Sequence, residues 1–232
     1  MIGVLVNTVA VIIGSFIGLF CKKGIPEHVS KAVMIGIGFC TVYIGVSGSL
    51  SGENTLVVIV SIVLGAIIGT LLKLDKCLNG LGDWVSSKLH SEGSSVAEGF
   101  VTASLLFCVG SMTIVGSLNA GLSGNNELLF TKSLLDFISS IMLSASLGIG
   151  VLCSAVFVLV FQGGIVLLAG MLTPILTQGA INEMTCVGSL LIIALGLNLT
   201  GISKFKVADY LPSILLAPAV YWLFDFVSGL IG

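Results

Sequence analysis

Residues 55–72 read TLVVIVSIVLGAIIGTLL, eighteen positions without a charge, bounded by Glu53-Asn54 on one side and Lys73 on the other. About 17–25 predominantly apolar residues suffice for a helix to cross the hydrocarbon core of a bilayer, and this run qualifies. A barrel strand would alternate in polarity over about 10 residues, and this run does not alternate. The stretch therefore reads as a membrane-spanning helix.

The rest of the chain repeats that reading. Of 232 residues, 56% are hydrophobic and 9% charged, with a mean hydropathy of +1.19. A soluble domain carries about 25% charged residues, so this chain has too few to cover a water-facing surface. Further apolar runs lie at about 2–20, 32–50, 96–118, 132–150, 151–172, 184–200 and 208–231. The fold class expected is all-α, a polytopic membrane protein of seven to eight transmembrane helices. Met1 to Phe20 lacks the basic start of a secretory signal and reads as a retained first span. Between the third and fourth spans, residues 73–95 are polar, yet Leu74, Leu78, Leu81, Val85 and Leu89 recur at helical spacing. That pattern predicts an amphipathic helix on the membrane surface, with Trp84 near the headgroups.

Run 151–172 decides the span number. Its centre, Gln162-Gly163-Gly164, is poor mid-helix sequence, so a broken or re-entrant segment is the alternative to a crossing. Cytoplasmic loops are rich in Lys. Lys22, Lys23 and Lys31 place the first loop inside, and two more crossings place Lys73, Lys76 and Lys88 there. Lys204 and Lys206 join them only if 151–172 crosses, which favours eight spans with both termini extracytoplasmic.

The nine basic residues are all Lys. Without Arg there is no bidentate clamp for phosphate, and nucleic-acid binding has no support. No GxxxxGK[ST], HExxH or GxSxG occurs, and neither His lies in a span, so an enzyme, a cofactor site and a metal site are not expected. The six cysteines form no CxxC and read as small packing residues.

Cys108-Val109-Gly110-Ser111 recurs as Cys186-Val187-Gly188-Ser189, and a fainter copy surrounds Cys40. Each follows a glycine-bearing span: Gly14 and Gly18, Gly65 and Gly69, Gly148 and Gly150. The first two pairs have GxxxG spacing, which puts both glycines on one helix face. Approximate tandem repeats over 2–54, 55–128 and 129–206, with a final helix over 207–232, account for this order within one membrane domain. The GxxxG faces suit internal packing or a homo-oligomer.

Leu5-Val6-Asn7, the segment from Leu106 through Cys108-Val109-Gly110 to Ser117, Lys132-Ser133-Leu134-Leu135-Asp136, Phe161-Gln162-Gly163-Gly164, Asn182-Glu183, Gly196-Leu197-Asn198 and Leu211-Pro212 are together similar to the bacterial domain-of-unknown-function 554 family. The resemblance spans essentially the whole chain. It implies a bacterial inner-membrane protein of one shared architecture and supplies no substrate. Asn119 departs from the pattern, since an acidic residue is expected before its Gly-Leu turn, and this weakens any cation ligand there.

Polar residues inside apolar spans are costly and raise functional questions. Asn7, Asp136, Gln162, Gly163, Gly164, Glu183 and Asn198 are the candidates for a pathway or binding site. For each there is a plainer reading. Asn7 bonds between helices, Asp136 pairs with Lys132 four residues earlier, Glu183 sits favourably before a helix N-terminus, and the glycine pair is a packing kink. Asp209 and Asp225 read as interfacial. The functional expectation is a transporter or channel for a small solute or ion, resident in the lipid bilayer. The alternative is a non-transporting scaffold, sensor or partner subunit.

Overall fold

The computed structural model describes residues 1–22, 27–77, 79–80 and 96–231. Among them every regular element is helical: α1 (Ile2–Lys22), α2 (Glu27–Ser49), α3 (Thr55–Leu72), α4 (Val96–Cys108), α5 (Ser111–Leu122), α6 (Glu127–Leu147), α7 (Gly150–Leu167), the short α8 (Ala169–Leu172), α9 (Gln178–Leu199), a 3-10 turn (Val207–Tyr210) and α10 (Pro212–Ile231). Among the described residues seven helices are long and apolar enough to cross a bilayer, and α4 with α5 forms a bent pair that counts as an eighth only if the pair is one span. The surface helix expected over 73–95 falls mostly on 81–95, outside the described residues.

Close contacts between helices occur at glycines. A methyl group on Gly14 would press on the Phe137 carbonyl 2.6 Å away, and one on Gly18 would overlap the Ile141 carbonyl and the Ser144 hydroxyl. These four-residue steps lay α1 against α6, and the Ser144 hydroxyl donates to the Ser15 carbonyl at 2.8 Å. The contacts Gly3 to Asn126, Asn7 to Asp136 and Ser15 to Ser144 advance together, so α1 and α6 run parallel. Gly38 and Gly45 seat α2 antiparallel on α9 at Gly196 and Ile193, while Gly65 and Gly69 seat α3 on Ser213 and Asp209. Both GxxxG faces are thus occupied within one chain.

The chain alternates between two ends of the bundle. Met1 lies beside Gly163, and the Trp222 indole donates to the Ile175 carbonyl at 2.8 Å. Both terminal helices therefore reach the end that holds the α5–α6 and α8–α9 connections. Lys73, Lys76, Lys204 and Lys206 stand at the opposite end.

The crossing favoured for 151–172 is matched by a helix long and apolar enough to span, and the break weighed there as the alternative falls elsewhere. Gln162-Gly163-Gly164 does not break its helix: α7 is continuous from Gly150 to Leu167. The break falls in the fourth span, where α4 and α5 meet at a 59° bend. Gly110 at the bend has φ +144° and ψ +145°, a backbone region open to glycine alone. Val109 just before it wedges into α9 at Gly188. Just after it the Thr113 hydroxyl donates to the Phe107 carbonyl at 3.0 Å, satisfying an acceptor that the break exposes. Two helices also begin earlier than the apolar runs suggest. α6 starts at Glu127 and α9 at Gln178, so Asp136 lies in the middle of its helix and Glu183 within the second turn of its own rather than before it.

Candidate functional site

α1, α6 and α7 each carry one or two polar side chains in otherwise apolar surroundings, and the parallel register of α1 on α6 brings them together. Asn7 Nδ2 donates to Asp136 Oδ2 at 3.0 Å and to Gln162 Oε1 at 3.2 Å. Lys132 Nζ donates to Asp136 Oδ1 at 2.8 Å, an ion pair formed across one helical turn. The exposures are 0% for Asn7 and Gln162, 3% for Asp136 and 8% for Lys132. With one nitrogen between two acceptors, the orientation of the Asn7 amide is fixed by the network itself.

Two atoms of this network have no partner among the described residues, Asn7 Oδ1 and Gln162 Nε2. A buried polar atom left without a hydrogen bond costs about 1–3 kcal/mol. Removing a charge from water costs several kcal/mol even after relaxation. Lys132 and Asp136 offset much of that for one another, and Asn7 occupies the second carboxylate oxygen. The network thus combines an internally neutralised ion pair with two amides that keep a free acceptor and a free donor.

Of the residues singled out from sequence, Asn7, Asp136 and Gln162 meet here. Gly163 stands beside Met1, with 3.8 Å between the Met1 methyl and a methyl built on the glycine, and one built on Gly164 would meet nothing within 4 Å. Glu183 lies elsewhere. It is fully buried in the second turn of α9, and its Oε1 accepts the backbone N–H groups of Glu53 and Asn54 at 2.8 and 2.7 Å. Asn182 reaches the Glu53 carboxylate at 2.7 Å. Together they tie α9 to the turn between α2 and α3. Asn198 is also apart. Its Oδ1 accepts from Ser203 and from the Phe205 N–H at 2.8 Å, and its Nδ2 donates to the Phe205 carbonyl at 2.8 Å, closing the loop after α9. That loop lines a cavity of about 430 Å³ at the lysine-bearing end, where Asp75, Glu98, Lys204 and Lys206 converge. Asp209, expected at the interface, is buried instead, and its Oδ1 accepts the Asp75 N–H at 2.8 Å. Asp225 is exposed as expected.

Lys132 and Gly110 were not among the candidates. The i, i+4 spacing had already paired the lysine with Asp136, as the plainer reading of that acid. Nothing local distinguishes Gly110 from the other glycines of the chain.

The comparisons with known proteins agree with the whole-chain architecture. The profile of the family described as "Protein of unknown function (DUF554)" matches residues 2–222. The chain is 36% identical over 227 residues to "Uncharacterized membrane protein YdfK" of Bacillus subtilis (strain 168), covering 96% of each chain. It is 29% identical over 222 residues to "Uncharacterized protein YqgA" of Escherichia coli (strain K12), covering 94% of each. No solved structure matches. A family profile matching residues 2–222, with a relative named as a membrane protein, leads to one statement: the chain belongs to the DUF554 family and is a multi-pass membrane protein.

Proposed function

We propose that this protein is a transporter or channel for a small solute or ion in the bacterial inner membrane, with its pathway beside Asn7, Lys132, Asp136 and Gln162. One observation carries the reading: three membrane helices contribute a buried network that contains an ion pair and still has a free donor and a free acceptor. Intramembrane ionisable residues mark pathways more often than packing contacts, because apolar side chains pack without their desolvation cost. The broken α4–α5 span supports the same reading, since broken helices at membrane depth are characteristic of solute and ion sites in transporters.

In the bilayer, the end bearing Lys73, Lys76, Lys204 and Lys206 faces the cytoplasm and both termini face outward, as the excess of cytoplasmic lysine requires. The cavity between Asp75, Glu98 and Lys204 is then the inner vestibule. Any homo-oligomer uses the outward faces of α2, α3 or α10, since both GxxxG faces are taken. The test is flux of a broad panel of radiolabelled solutes and ions into proteoliposomes. Saturable uptake above protein-free vesicles is expected for one class. Folded protein that moves none of them contradicts the proposal and favours a scaffold or partner subunit.

A further inference from the structure

The ligand chemistry of this site follows from which of its atoms are already used. Asp136 is already charge-matched, one oxygen accepting from Lys132 at 2.8 Å and the other from Asn7 at 3.0 Å, so a cation competes with the Lys132 ammonium for it. An anion needs an unmatched positive charge, and Lys132 is matched by Asp136. What remains is a pair of amides joined by a single 3.2 Å hydrogen bond, with the Asn7 carbonyl oxygen and the Gln162 amino group buried and without partners. These are one acceptor and one donor, on side chains that touch.

Resting on the transport reading of the same site, we infer that Asn7 and Gln162 recognise a small solute of zero net charge that carries an acceptor and a donor side by side, such as a primary amide or a urea. Its carbonyl accepts from Gln162 Nε2 and its N–H donates to Asn7 Oδ1, closing a ring of hydrogen bonds across the pair. Both unpartnered atoms are satisfied at once, and the Lys132–Asp136 pair stays intact. A charged solute has to compete with that pair to bind.

The experiment measures binding to the detergent-purified full chain with acetamide, urea, sodium, putrescine and acetate as probes. The expected result is saturable binding of acetamide or urea, weakened by about tenfold or more in Gln162→Met, which keeps the side-chain length and removes the donor. If Gln162→Met does not fold, Gln162→Asn keeps both polar atoms on a shorter arm and must change the preference between acetamide and urea. Binding of sodium, putrescine or acetate in place of the neutral probes, sensitive to the same variants, overturns the neutral class and leaves transport standing. No binding of any probe also overturns the inference, with water alone satisfying the amide pair. Flux of the bound probe is measured in parallel. Binding without flux retains the recognition and overturns transport.

Discussion

Lys132 is the residue on which the buried network depends most. Replacing it by Met leaves the Asp136 carboxylate buried with no counter-charge, a change that costs about 3–5 kcal/mol in comparable pairs. Lys132→Met is expected to fall in that range by denaturant unfolding in detergent, and Lys132→Met/Asp136→Leu to recover most of the loss. A double variant no more stable than the single one would show that the pair is not the structural unit described. Sequence made part of this legible: a Lys and an Asp four apart on a helix, and an Asn inside an apolar span, are visible without coordinates. That they converge on Gln162 was not. Asn7 lies 129 and 155 residues from its partners, and only the glycine-set register of α1 on α6 brings them into contact. Glu183 and Asn198 gave the same sequence signal as Asn7, yet they lie elsewhere, Glu183 Oε1 accepting the Glu53 and Asn54 N–H groups and Asn198 bonding Ser203 and the Phe205 backbone.

At the scale of the helix, glycines separate into those that fix a contact, those that permit a bend and those that do neither. Gly18 faces backbone and side-chain atoms of α6 directly, so Gly18→Leu is expected to destabilise by about 1–3 kcal/mol or to prevent folding, as overpacking does. Gly36 meets nothing within 4 Å, and Gly36→Ala is expected to be neutral or to gain up to about 1 kcal/mol from helix propensity. Gly110→Ala forces a side chain into a glycine-only conformation and is expected to cost about 1–3 kcal/mol. Unfolding curves for the three variants check the ordering, and equal effects at Gly18 and Gly36 would contradict the packing described. The helices themselves were legible because lipid leaves the backbone no partner but itself. The same constraint explains why Gln162-Gly163-Gly164 stays helical: in an apolar setting, glycine's weak propensity is not enough to open hydrogen bonds. The bend occurs instead where Gly188 makes room for Val109 and Thr113 supplies a substitute hydrogen bond.

Across the whole molecule, both terminal helices reach one end of the bundle, which the eight-span reading requires. Reporters fused to either terminus are expected on the periplasmic side, and cysteines introduced at Lys73 and Lys204 are expected to be labelled only from the cytoplasm. Termini on opposite sides would mean that one of the eight spans does not cross. Lysine placement is the sequence argument for this proposed topology, whereas the pairing of α1 with α6, α2 with α9 and α3 with α10 depends on side-chain fit between distant segments. The central claim is that solute passes beside the Asn7–Asp136–Gln162 network. Its most direct test is flux per folded molecule in proteoliposomes containing the native chain, Gln162→Met or Gly36→Ala. Transport that survives in Gly36→Ala and is lost in Gln162→Met is the predicted result; equal transport in all three, or none in the native chain, contradicts it.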